Sequence, residues 1–276
     1  MKFIYKKIIQ ILSLFIFIIS FSQTNKVDSL RGDFTYLLQY KPNKVNKDYI
    51  IKELFSLQIS DNKAFFSSVN KLKFDSTFSS QFKKSSGTVN LDFRNIPKSQ
   101  SNYLIIQTID NSSFYESIGM TLLMYSNPVI KNWKLTNEKK IINSINCIKA
   151  ELNYKGRDWI AWYSSEIPFP YGPFKFSGLP GLIIKITDKT GDYDFELVRS
   201  VSSNNLRGKI VLINESRYKN PKIVTKKQLS EAWKNFRNNA KYEFEKMGTT
   251  FSQDSRDRNS IDESEKIGYN PLELEE

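Results

Sequence analysis

The chain has 276 residues, 39% hydrophobic and 14% aromatic, enough for one sizeable core and too apolar for a disordered chain. It contains no histidine, which excludes Ser-His-Asp and Cys-His catalysis and removes the commonest zinc and copper ligand. A single cysteine excludes an internal disulfide, and 41 basic against 29 acidic residues give a formal charge of +12. The lysines are scattered, often beside Asn and Ile, with no dense basic block. They read as a solvated surface and call for no nucleic-acid partner; contact with a polyanion such as surface polysaccharide is the second reading.

Residues 1–22 read as a secretory signal peptide. Lys2, Lys6 and Lys7 form a basic start, an apolar run follows to Phe21, and small residues place cleavage after Ser22. The run is shorter than the roughly 18 to 20 residues of a spanning helix, and no later stretch is apolar enough to cross a membrane. No cysteine follows the run, which argues against a lipoprotein.

The mature chain begins with alternation. Phe34, Tyr36, Leu38 and Tyr40 recur every second residue, as do Phe55, Leu57 and Ile59, so both stretches predict strands. Asp61-Asn62 marks a turn into a strand over residues 63–69. Residues 72–84 are ambiguous: Phe74, Phe78 and Phe82 suit a helix face, while the Ser and Thr between them weaken it. Val89, Leu91 and Phe93 alternate again, and residues 103–109, 120–125, 133–135 and 141–152 add strand candidates. Cys147 falls in the last of these and reads as a small buried residue, not a reactive thiol.

The stretch 156–188 organises the rest. Pro168, Pro170, Pro173 and Pro180, with Gly172, Gly178 and Gly181, exclude helix from 166 to 181. Residues 147–154 and 157–163 flank Lys155-Gly156 and predict a β-hairpin. Residues 182–187 and 193–198 flank a turn at 188–191 and predict a second. The loop between the hairpins carries Phe169, Tyr171, Phe174 and Phe176, which are costly to leave in water. They read first as a cap on the open end of a β core and second as the lining of a pocket.

After a strand at 209–214, Thr225 and Gln228 have the spacing of a capping box. Leu229, Ala232, Trp233, Phe236 and Ala240 then share a face, extended by Phe244 and Met247, and predict a helix to about Gly248 that covers a sheet face. Residues 249–276 are polar and acidic without the spacing of a calcium loop, and read as a mobile tail. The organisation is therefore a leader (1–22), one β-rich domain (23–248) and a tail (249–276). The fold class is mainly β (α+β): a strongly curved antiparallel sheet, open barrel or sandwich with one C-terminal amphipathic helix packed on it.

Gly178-Leu179-Pro180-Gly181-Leu182-Ile183 resembles the signature of the GLPGLI family. Around it stand Cys147, Lys149-Ala150, Gly156-Arg157, Ala161-Trp162-Tyr163, Glu166-Ile167-Pro168 and Gly172-Pro173-Phe174-Lys175-Phe176. The resemblance runs from about 133 to 197. It implies an exported Bacteroidetes protein without an established activity, of a kind sometimes found beside outer-membrane transporters. The candidate site residues are those of this pattern, as structural or binding positions: Gly156, Arg157, Trp162, Tyr163, Glu166, Pro168, Gly172, Pro173, Phe176, Gly178, Leu179, Pro180, Gly181, Leu182 and Ile183.

No catalytic, cofactor or metal constellation is legible. The expectation is a non-enzymatic exported protein at the periplasm, the periplasmic face of the outer membrane, or beyond, binding a small or extended ligand or an envelope partner. The alternative is a carboxylate-based hydrolase with Glu166 and Asp188 as acid and base; against it, carboxylates at loop edges commonly bond backbone or an arginine instead, and Arg157 is a candidate partner.

Overall fold

The computed structural model describes residues 28–83, 98–246, 248 and 268–275. The leader at 1–22 and the alternation at Val89, Leu91 and Phe93 lie outside the described residues.

Twelve strands form one open sheet. Six make a first meander: β1 (Gly32–Tyr40), β2 (Ile51–Ile59), β3 (Ala64–Ser68), β4 (Leu104–Gln107), β5 (Asn111–Ile118) and β6 (Thr121–Pro128). Five make a second: β7 (Lys134–Ile142), β8 (Ile145–Tyr154), β9 (Arg157–Ser164), β10 (Leu182–Asp188) and β11 (Tyr193–Ser200). The meanders join where β1 pairs antiparallel with β11. The two-residue β12 (Lys222–Ile223) pairs parallel with β6 at one edge, and β7 is the other edge. The edges do not meet, so the sheet is not a barrel.

The sheet is nonetheless tightly curled. Phe66 of β3 and Phe195 of β11 have ring centroids 6.3 Å apart, although β2 and β1 lie between their strands. Three strand spacings on a flat sheet would be about 14 Å. Tyr36, Phe55, Leu57, Trp159, Ala161, Ile186 and Phe195, all fully buried, belong to one core on the concave side. The loop between β9 and β10 turns into that hollow. Its Tyr171, Phe174 and Phe176 are buried and Phe169 is half-buried against the same core. The cap expected at the open end is thus a plug that fills the curl. β10 is accordingly buried on both faces, with Leu182, Ile183, Ile184 and Ile186 all inaccessible. Edge strand β7 is mostly exposed and carries Lys134, Lys139 and Lys140, charges that discourage edge-to-edge pairing.

Four regions depart from expectation. Residues 69–83 settle as helix α1 (Val69–Lys83). Asn111–Ile118 is a strand that the alternation does not reveal, because serines fall on both its faces: Ser112 is buried on the side of Phe114 and Ile118, and Ser113 and Ser117 lie on the other. The strand expected at 209–214 does not form. Ile210 makes a single bridge to Ser29, the Leu212 amide donates to the buried Gln58 side chain, and Glu215–Arg217 is one 3-10 turn. A four-residue helix, α2 (Ser203–Leu206), precedes that stretch.

The C-terminal helix forms as α3 (Lys226–Asn238), with both hydrogen bonds of the Thr225/Gln228 capping box present. It rests on β5 and β6, where Trp233 Nε1 donates to Glu116 Oε2 at 2.8 Å. It stops at Asn239, ahead of the expected end, and a short α4 (Ala240–Lys246) follows. The fourth departure is the stretch 268–275, expected as part of a mobile tail. Residues 268–275 are not free: Asn270 is buried and the segment runs across the open end of the curl.

Candidate functional site

The site is built from the turn ending β8, the plug and this C-terminal segment. Lys155 and Gly156 both have positive φ, at 51° and 77°, and turn the chain from β8 into β9. Arg157, the first residue of β9, therefore starts at the open end of the curl, and it is 5% exposed. Across the sheet, β10 ends at Asp188, whose side chain is also buried. Arg157 Nη1 donates to Asp188 Oδ2 at 2.8 Å. The other oxygen, Oδ1, accepts from the backbone amides of Asp192 and Tyr193 at 2.8 and 2.9 Å. Thr190 Oγ1 also donates to Oδ2 at 2.5 Å. Asp188 thus has its acceptor capacity engaged in the β10–β11 turn and is poorly placed to act as a base.

The remaining donors of Arg157 go to the C-terminal segment. Nε reaches the Leu272 carbonyl at 3.0 Å, and Nη2 reaches Asn270 Oδ1 at 2.5 Å and the Pro271 carbonyl at 2.7 Å. The guanidinium lies over the Tyr193 ring, 4.9 Å from its centroid. Tyr193 itself donates through its hydroxyl to the Asn270 carbonyl at 2.6 Å. Asn270 Nδ2 donates to the Lys41 carbonyl and to Asp192 Oδ2 at 2.9 and 3.1 Å. Farther along, the Leu274 amide bonds the Lys155 carbonyl at 2.9 Å. Leu274 passes so close to Gly156 that a Cβ there would lie 3.0 Å from its own Cβ. Gly156 therefore serves both the turn and the seat of the segment.

Lys175, from the plug, supplies a second cation. Its side chain is 1% exposed, and Nζ bonds Tyr125 Oη and Glu273 Oε1, each at 2.7 Å. Phe114, Tyr125 and Phe174 surround the ammonium at 4.7–5.4 Å from their ring centroids. Burial pulls the Lys175 amine down to about 8, partly offset by the Glu273 charge. Burial alone would raise Glu273, but the charges and hydrogen bonds of Lys175 and Lys226 hold it below the usual carboxylate range. Lys226, at the start of α3, reaches Glu273 Oε2 at 2.9 Å and the Glu275 carbonyl at 2.8 Å.

The plug is held by bonds of its own. Gln107 Nε2 donates to the Gly172 and Phe174 carbonyls at 2.8 and 2.5 Å, and Trp133 Nε1 donates to the Ser177 carbonyl at 2.9 Å. Gly178 and Gly181 have φ of +89° and +151°, and a Cβ at Gly181 would overlap the Ser164 carbonyl oxygen. Leu179, Leu182 and Ile183 enter the core behind these turns, while Pro180 stays exposed. Tyr163 is buried opposite Ile183, and Phe176 packs on Trp159 with centroids 4.6 Å apart. Gly172 and Pro173 are buried in the plug and Pro168 is exposed on its outer turn. Trp162 faces the other side of the sheet, half-buried beneath Lys140.

The expected residues therefore divide. Arg157 and Gly156 lie in the cleft, Gly172 and Phe176 belong to the plug, residues 178–183 stand beside Ser164 at the other end of β10, and Glu166 is at that far end too. Glu166 is exposed after the far end of β9 and accepts from Asn146 Nδ2 at 2.9 Å. Asp188 pairs with Trp159 and Leu182 with Ser164, so six residues of strand separate the two carboxylates' ends. That is about 20 Å, against roughly 5 to 9.5 Å for paired glycosidase carboxylates. Glu166 and Asp188 do not form a catalytic pair. Cys147 is buried and its thiol is pushed up to about 11 by burial, so it stays protonated near neutral pH. Among the described residues, no group of three or more His, Cys, Asp or Glu could hold a metal ion, and no helix is long and apolar enough to cross a membrane.

Lys175, Asn270 and Glu273 are not among the expected site residues. Lys175 stands inside the Gly172–Phe176 part of the pattern, and Leu272-Glu273-Leu274-Glu275 alternates like a docked strand.

Residues 151–185 match a family model described as "Protein of unknown function (Porph_ging)". The match contains Arg157, Lys175 and the whole plug. No curated protein matches the chain. Two crystal forms of PNGF-II, in space groups P21 and C2, are similar at 15% identity with TM-scores of 0.49 and 0.48. Each similarity covers 74% of this chain and 33% of the other, so this chain spans about a third of the length of PNGF-II. An uncharacterized conserved protein from Thermus thermophilus is similar at 10% identity over 70% of this chain and 90% of that one, with a TM-score of 0.32.

Proposed function

We propose that the chain is exported, with its leader removed after Ser22, and acts in the cell envelope as a non-enzymatic binding module. Its working surface is the cleft at the open end of the curled sheet, and its partner is an outer-membrane transporter or another envelope protein. One observation carries this reading. The two cations of the 156–176 stretch, Arg157 and Lys175, direct most of their free hydrogen-bonding capacity at an extended chain segment. A carboxylate hydrolase fits less well, because the two candidate carboxylates stand at opposite ends of their strands.

Crosslinked capture from native envelopes tests the reading, using the full chain and Lys226→Glu. Lys226 sits at the rim, part exposed, so reversing its charge changes the cleft while leaving the core alone. A partner recovered with the wild type and lost with Lys226→Glu is the expected result. A partner retained equally by both would place binding elsewhere. Mass spectrometry of the protein from native cells checks export: a retained Lys2-Phe3 peptide would refute it.

A further inference from the structure

Residues 268–275 are seated the way a foreign peptide would be. Most of the bonds run to groups every peptide has: the Asn270, Pro271 and Leu272 carbonyls, and the Asn270 and Leu274 amides, the first of which donates to the Pro42 carbonyl at 3.0 Å. Two side chains add selectivity. Asn270 is 1% exposed and bonded to Arg157, Asp192 and the Lys41 carbonyl, and Glu273 enters the pocket between Lys175 and Lys226.

We propose that the 268–275 segment is a displaceable internal ligand, and that the cleft also accepts an acidic extended peptide from another protein, with an Asn-Pro pair followed two residues later by a carboxylate. This rests on the cleft being the binding surface. The argument for an acidic occupant is electrostatic. With the segment gone, Lys175 would remain among Phe114, Tyr125 and Phe174 without its counter-ion, a costly arrangement. A replacement must therefore bring a carboxylate to the Glu273 position, whereas the backbone bonds make no such demand. The segment belongs to none of the twelve strands; its one ladder contact among the described residues is the isolated bridge between Tyr269 and Asn43, so leaving the cleft costs that bridge and breaks no pairing between strands of the sheet.

The probe is a fluorescent peptide with the sequence of residues 268–276, titrated against the full-length protein by anisotropy. The attached segment competes at a millimolar effective concentration, so the wild type should bind weakly. The full-length double variant Asn270→Ala/Glu273→Gln weakens the internal competitor and should bind at least tenfold more tightly. A peptide with Gln at the position of Glu273 should lose at least tenfold on that variant. Equal binding by wild type and variant, or by the Glu and Gln peptides, would overturn the proposal.

Hydrogen exchange on the unaltered chain gives an independent reading. The amides of Asn270 and Leu274 should exchange at least tenfold faster than those of β1 and β10. Exchange only through global unfolding would show that the segment is a fixed part of the fold and defeat the proposal. If the peptide fails while partner capture still depends on Lys226, this inference falls alone. If capture is indifferent to Lys226, the reading of the cleft falls with it.

Discussion

Gly181→Ala probes the turn that sends the plug into β10. Gly181 sits at φ +151°, outside the regions an L residue adopts readily, and its missing Cβ points at the Ser164 carbonyl. Ser164 is the register partner of Leu182, so the overlap falls where the β9–β10 pairing begins. Backbone strain contributes about 1 to 3 kcal/mol and forced displacement of a packed backbone a similar amount. Reduced freedom of the unfolded chain returns about 0.4 to 1 kcal/mol. The expected net loss is roughly 1 to 5.5 kcal/mol, centred near 3. Gly191 supplies the control, since its φ is +67° and a Cβ added there would meet nothing within 4 Å. Gly191→Ala should cost only about 1 kcal/mol, the strain of a left-handed residue alone. Urea unfolding followed by tryptophan fluorescence measures both, with equal slopes confirming that the midpoint shift reports stability. Equal losses at the two positions would refute the claim that close approach to Ser164 fixes this glycine.

Leu182→Ala should cost roughly 2 to 5 kcal/mol in the same assay, because the side chain is fully buried at the root of β10. Glu166→Gln should change stability by less than about 1 kcal/mol, as expected of an exposed side chain with one exposed partner. Lys175 predicts an alkaline effect. Its folded value of about 8 lies below the ordinary 10.5, so between these values the unfolded chain binds more protons at this group and its contribution to stability rises with pH. From pH 8 to 10 this contribution should grow by roughly 2 kcal/mol, read as the widening difference between the wild type and Lys175→Met, which lacks it. In the wild type the sign reverses from about pH 9, because burial holds Tyr36, Tyr40, Tyr103, Tyr125, Tyr154 and Tyr193 protonated while the unfolded tyrosines begin to ionise. Urea midpoints measured across that range check both slopes.

What could be read from the chain was local. The Thr225/Gln228 box, the Lys155-Gly156 turn and the alternation of β1 and β2 are specified by residues within a few positions of one another. They appear in the structure with the expected partners. What could not be read depends on partners distant in sequence. β5 is a strand because β4 and β6 flank it, and its own serines say little. Residues 209–214 look like a strand but lie beside the sheet with only one bridge, so their alternation had no ladder to join. The burial of Lys175 was hidden for the same reason. Its counter-ion is 98 residues away, in a stretch whose composition resembles a solvated tail. The plug was legible as an ordered loop, but its direction into the hollow follows from the curl of the sheet, which periodicity does not encode.

The pairing of β1 with β11 has a consequence for how the chain reaches this state during synthesis. Each meander can assemble from neighbouring hairpins, but the seam between them waits for a strand about 160 residues downstream, a slow step for any folding chain. Asn270 comes later still and bonds the Lys41 carbonyl across 229 residues. Until that point Lys175 has no carboxylate to meet in its aromatic surroundings. A nascent chain halted before residue 268 would hold all twelve strands and still carry an uncompensated cation at its open end. Completion of the open end in this way depends on residues 268–275, made long after the strands they close over.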